Sequence, residues 1–157
     1  VSWPATSIRR IVPMSSASLR RSPPSPALRR GLADVGVITL TGGGSYITAR
    51  TITALLDNTR RPVWISAFVL RTVDYDDVIR VLAQRGLYTT TDTARTYPQR
   101  LFTSERERRY AIQAVCAQGH DPAGREDTGR FHCTRYDSRP ATEIQAASPS
   151  PPAPVRS

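Results

Sequence analysis

Lysine does not occur in this chain: all 22 basic residues are arginine, set against 13 acids for a formal net charge of +9. Without lysine the phosphate-binding loop GxxxxGK[ST] is excluded. Long apolar runs are missing as well. The longest mostly apolar stretches, residues 35–40 and 63–70, contain Thr39 and Ser66. Both fall far short of the roughly 18 residues that mark a membrane span. Cysteine is scarce. Cys116 and Cys133 are too few for a disulfide-built secreted scaffold, and no CxxC redox motif is present. The N-terminal segment also lacks the long apolar stretch of a secretory signal.

What is present is sized for one domain. The chain has 157 residues, and both ends are poor core material, so the foldable part is about 100 residues. An all-arginine inventory suits phosphate binding, because guanidinium presents a fixed fork of donors. A GC-rich coding sequence gives the same bias toward arginine, alanine and proline. Residues 1–33 hold six arginines, seven serines and no acid. The pairs Arg9–Arg10, Arg20–Arg21 and Arg29–Arg30 are spaced by roughly ten residues, and Pro23, Pro24 and Pro26 forbid a continuous helix. Few large apolar side chains are available there to offset ordering entropy. Residues 1–33 are therefore expected to be a disordered basic arm that could follow a polyphosphate backbone. A solubilising leader or an organelle transit peptide has the same composition. Residues 138–157, with Pro149, Pro151, Pro152 and Pro154, are expected to be a disordered Pro/Ser/Ala-rich tail. Val1 in first place fits an alternative bacterial start codon or a trimmed product, and the expected location is the cytoplasm.

Between these ends, residues 34–137 are expected to form a small α+β domain of two or three short strands and three helices. The β-branched run from Val35 to Thr41 predicts a strand. Gly42, Gly43 and Gly44 follow, then a helix from Ile47 to Leu56 with Ile47, Thr51, Ile52, Leu55 and Leu56 on one side. A glycine loop at a helix start could bare N–H groups to an anion, and a flexible turn reads the same way. Val63–Leu70 predicts a buried strand. Asp74 opens the clearest helix, which Gly86 ends. Asp92–Leu101 could be the second helix of a helix-turn-helix, although Pro98 falls inside it. Ser104 and Glu107 match a capping box. The helix that follows carries Arg106, Arg108 and Arg109, which could contact phosphate or pair with Glu105 and Glu107.

Both cysteines and both histidines of the chain fall within the 18 residues from Cys116 to Cys133. Thiolate and imidazole are zinc ligands, and a structural zinc usually takes four of them as a tetrahedron. Cys116, His120, His132 and Cys133 are the candidate set, with zinc the candidate cofactor. The adjacency of His132 and Cys133 is awkward, because neighbouring side chains in extended backbone point apart. Cys116, Gly119, His120, Gly129, Arg130 and Cys133 resemble the zinc-binding segment of phage and actinobacterial HNH-type endonucleases. The resemblance covers residues 116–137. It implies a zinc site, with Tyr136 standing where that pattern has its last cysteine. The fourth ligand would then be His132, Asp137 or water. No histidine follows His132, so nuclease activity is not implied. Reduced cysteines without a metal are equally ordinary in cytosol. Glu126 and Asp127 could act as acid or base, but nothing in the sequence distinguishes them.

Taken together, these features lead to a small basic nucleic-acid-binding accessory protein, phage-related if the HNH resemblance holds. The nucleic-acid contacts expected are Arg9, Arg10, Arg20, Arg21, Arg29, Arg30, Arg106, Arg108 and Arg109. A metal-dependent hydrolase remnant and an interaction protein docking through its tails are the alternatives.

Overall fold

The computed structural model describes residues 26–41, 47–60 and 62–143. Four strands form one mixed sheet: β1 (Val37–Leu40), β2 (Trp64–Leu70), β3 (Leu87–Leu101) and β4 (Arg130–Pro140). Four helices accompany it: α1 (Pro26–Ala33), α2 (Ala49–Leu56), α3 (Asp76–Gln84) and α4 (Glu105–Ala117). A short 3₁₀ turn, Glu126–Thr128, precedes β4. The class is α+β, with more elements than the sequence alone indicates.

The spatial order of strands is β1-β2-β4-β3. β1 runs parallel to β2, and the intervening α2 makes the crossover. β4, last in sequence, is antiparallel to both β2 and β3 and lies between them. Alternation decides which side of the sheet each residue serves. In β2, Ile65, Ala67 and Val69 are buried, whereas Trp64, Ser66, Phe68 and Leu70 are half-buried. The buried set joins Leu32 of α1, Ile52, Leu55 and Leu56 of α2, and Val78 and Leu82 of α3 in one hydrophobic core. Helices α1 to α3 thus lie on one face. β2 is buried on that side only, not on both as its apolar run suggests.

Local signals explain most helix ends. The Thr48 hydroxyl accepts from the Thr51 amide and caps α2. Asp74 accepts from the Asp76 amide at 2.8 Å ahead of α3, and Gly86 leaves that helix at φ +74°, a conformation glycine adopts without strain. Ser104 caps α4 through the Glu107 amide at 3.1 Å. The return bond of the expected capping box is displaced by one residue: the Glu107 carboxylate accepts from the amide of Thr103.

Three expectations need correction. Asp92–Leu101 is not a recognition helix but the second half of β3, a 15-residue strand at the sheet edge. Threonine-rich sequence favours extended backbone, and at an edge the missing N–H of Pro98 is tolerated. The register shift between Thr91 and Thr96 takes up the intervening residues as a bulge. Part of the segment expected to be disordered, Pro26–Ala33, is helical, because Leu32 finds a place in the core. The domain also runs past residue 137. β4 continues to Pro140, and the Ser138 hydroxyl lies 2.9 Å from that of Thr89. Gly42–Gly44, Arg9, Arg10, Arg20, Arg21 and the tail prolines lie outside the described residues. No helix among the described residues is long and apolar enough to cross a membrane.

Candidate functional site

The four residues expected to ligate zinc are placed by different elements. Cys116 sits in the last turn of α4 and is exposed. His120 lies half-buried in the loop that follows. His132 and Cys133 are consecutive in β4, both buried, and the pleat sends them to opposite faces. His132 Nδ1 is 3.1 Å from the Thr96 hydroxyl across the β3–β4 pair. Asp137, an alternative fourth ligand, accepts from Ser66 instead, and Tyr136, standing in the place of the last cysteine, packs its ring on Tyr75 at 4.9 Å. Among the described residues no group of three or more His, Cys, Asp and Glu could hold a metal ion. The residues present do not fit a tetrahedral zinc.

That region is instead organised by a buried ion pair. Arg71, at the end of β2, donates to the Glu126 carboxylate at 2.6 Å and to the Asp121 carbonyl at 2.7 Å. Both side chains are almost fully buried. The pair ties the loop between α4 and β4 to the sheet, and Glu126 Oε1 has no hydrogen-bond partner. Burial raises the Glu126 pKa above the usual carboxylate range against the pull of Arg71. Burial likewise lowers the pKa of His120 and His132, with Arg71 and Arg125 adding to it. The Cys133 thiol is pushed up to about 11 by burial, and Glu126 contributes. Glu126, His132 and Cys133 are enclosed, whereas His120 is only half-buried.

The sheet face opposite α1 to α3 has a different composition, and at its Cys133 end it is covered. Residues directly paired across antiparallel strands share a face. Phe68 pairs with Arg135, Ser66 with Asp137, and Tyr97 with Cys133. Tyr88 pairs with Arg139, and one step beyond Ile65–Ser138 brings Trp64 to the same Arg139. The Arg139 guanidinium lies over the Trp64 ring, 6.0 Å from its centroid. Phe68 and Tyr97 meet edge to face at 5.1 Å, and Arg95 lies over Tyr97 at 5.3 Å. The bulge presents Arg95: Asp92 accepts from the amides of Ala94 and Arg95 and closes a turn at its base. Asp137 accepts from Ser66 Oγ at 2.8 Å and pairs with Arg135 at 2.9 Å. Beside Phe68 and Tyr97 is an open depression of about 340 Å³ lined also by Thr41, Pro98 and Gln99. Tyr88 is 55 % exposed and Val37 47 %.

The arginines expected to touch nucleic acid divide. Arg29 and Arg30 are exposed on α1, and Arg106 and Arg109 on α4. Arg108 turns inward, donating to the Asp127 carbonyl at 3.1 Å and standing 3.7 Å from Glu105. Trp64, Phe68, Tyr88, Tyr97, Arg95, Arg135 and Arg139 are missed by sequence reasoning. One signal was available: Arg135, Asp137 and Arg139 recur every second residue, the period of a strand with one charged face. No protein family, curated protein or solved structure matches the chain.

Proposed function

We propose that this protein binds nucleic acid through the open face of its sheet, with the arginines of that face meeting phosphate. The observation that carries the reading is the grouping of Arg95, Arg135 and Arg139 with four aromatic side chains on a face that α1 to α3 do not cover. The core on the helix side is mainly aliphatic, with Tyr75 and Tyr136 packed together and no arginine among its members. Arginine and aromatic residues grouped on a partly exposed surface are the side-chain types that bind phosphate and π systems. Arg106 and Arg109 on α4 and the net charge of +9 supply further attraction at longer range.

Equilibrium binding to nucleic acid across a salt series tests this. Counterion release makes the logarithm of affinity fall with the logarithm of salt, by about 0.7–0.9 per phosphate neutralised. Replacing Arg95, Arg135 and Arg139 together by alanine is expected to reduce that slope by roughly two to three. Absence of binding at low salt, or affinity insensitive to salt, would refute the proposal.

A further inference from the structure

Building on that reading, we infer that the partner is an unpaired strand, held by two aromatic stations on the sheet with a polar row between them. The first station is Trp64 and Tyr88, which flank Arg139 from β2 and β3. The second is Phe68 and Tyr97, with Arg95 over the tyrosine and Arg135 paired to Phe68. Trp64 and Phe68 are four residue steps apart along β2, about 13 Å at ~3.3 Å per residue. Between the stations lie Ser66, Asp137 and Thr90, with Ser66 and Thr90 paired to Asp137 from either side.

This order of chemistry discriminates between partners. A duplex presents phosphates outward and keeps its bases stacked on one another, so it has no π face to offer a flat aromatic platform. An unpaired strand offers one with every base. The carboxylate of Asp137 sits at the centre of the face, where it offsets the charge of Arg135 and disfavours phosphate. A base edge, which carries N–H donors, is accepted in the same place. Arginines at both stations and a carboxylate between them thus place the backbone at the ends and the bases across the middle. One base on each station and one or two across the polar row make about three to four nucleotides the shortest strand that engages both.

The test uses the full chain and fluorescence anisotropy with labelled oligothymidylate of two, four and eight nucleotides, the matching oligouridylate, and a blunt duplex of equal charge. Affinity is expected to rise steeply from two to four nucleotides and then slowly. The duplex should bind at least on the order of 10-fold more weakly than the eight-nucleotide strand. Tyr88→Ala and Tyr97→Ala should each lower strand affinity on the order of 10-fold, while Tyr88→Phe, which keeps the ring, retains it. Tyr88 is exposed, so its removal leaves the fold intact. A difference between the thymidylate and uridylate series identifies which sugar the face prefers and leaves the inference standing. Equal or tighter duplex binding, or tyrosine variants that bind like the parent, would overturn the two-station inference while the broader nucleic-acid proposal survived. No binding by any of these ligands at low salt would overturn both.

Discussion

The two faces of this sheet share one backbone and almost nothing else. On the helix side, β2 contributes Ile65, Ala67 and Val69, each 2 % exposed and packed into the core. On the other side the same strand contributes Trp64, Ser66 and Phe68, and β4 adds Arg135, Asp137 and Arg139. The difference teaches where the stability and where the recognition chemistry of this protein reside. The covered face is mainly aliphatic, with one tyrosine pair, and nearly uncharged. The open face carries polar and aromatic groups, of which Tyr88 is the most exposed ring. A third condition appears at the start of β4, where Phe131, His132, Cys133 and Thr134 are all buried and the Arg71–Glu126 pair closes the end of the sheet.

The sharpest way to test this division is to break the closed end. Glu126→Ala leaves the Arg71 guanidinium buried without its carboxylate, a change that typically costs about 3–5 kcal/mol. Urea denaturation should show a midpoint much lower than the parent's; a shift within experimental scatter would mean that the pair does not hold the loop. Next in size is the contrast between the faces. Leu82→Ala, at a fully buried site of the covered face, should cost about 2–5 kcal/mol, whereas Tyr88→Ala on the open face should stay within about 0.5 kcal/mol. Comparable losses from both would abolish the distinction.

Thiol chemistry probes the same enclosure without mutation. At pH 8 iodoacetamide should modify exposed Cys116 readily. Cys133, enclosed and with its pKa pushed up to about 11, should react only after denaturation, as peptide mass mapping would show. The smallest effect expected is at the start of α4. The Arg100 guanidinium beside Glu107, helped by the Thr103 amide, holds that carboxyl down to about 2, below its ordinary 4.5. Stability from the contact is therefore full above pH 4.5 and is lost as pH falls toward 2. Glu107→Gln should be slightly less stable than the parent at pH 6, with the gap closing near pH 2. A gap that persists there would assign the effect to something other than charge. The contact is exposed, so added salt should narrow the gap as well.

Elements whose shape is decided locally were legible in the sequence. β1, α2, β2, α3 and α4 each follow from caps, β-branched runs or 3.6-residue spacing within a dozen residues. β3 and β4 were not, because their pairing decides them. Thr89 to Thr96 and Arg130 to Pro140 carry weak local preferences and become strands only against each other and against β2. α1 depends in the same way on a place for Leu32. The candidate site shared this fate. A cluster of cysteine and histidine is conspicuous in a linear text, yet the pleat separates its members. The aromatic and arginine side chains of the open face are scattered from Trp64 to Arg139 and meet only once β4 has joined β2 to β3.

The place of β4 in the sheet also has a consequence in time. Until residues 130–140 are synthesised, β3 has no hydrogen-bonding neighbour and β2 lacks its partner on one side. Contacts that bridge such long stretches of chain form late and slow the search for the native state. The nascent chain carries two bare strand edges until β4, the last of the described strands, emerges and closes them.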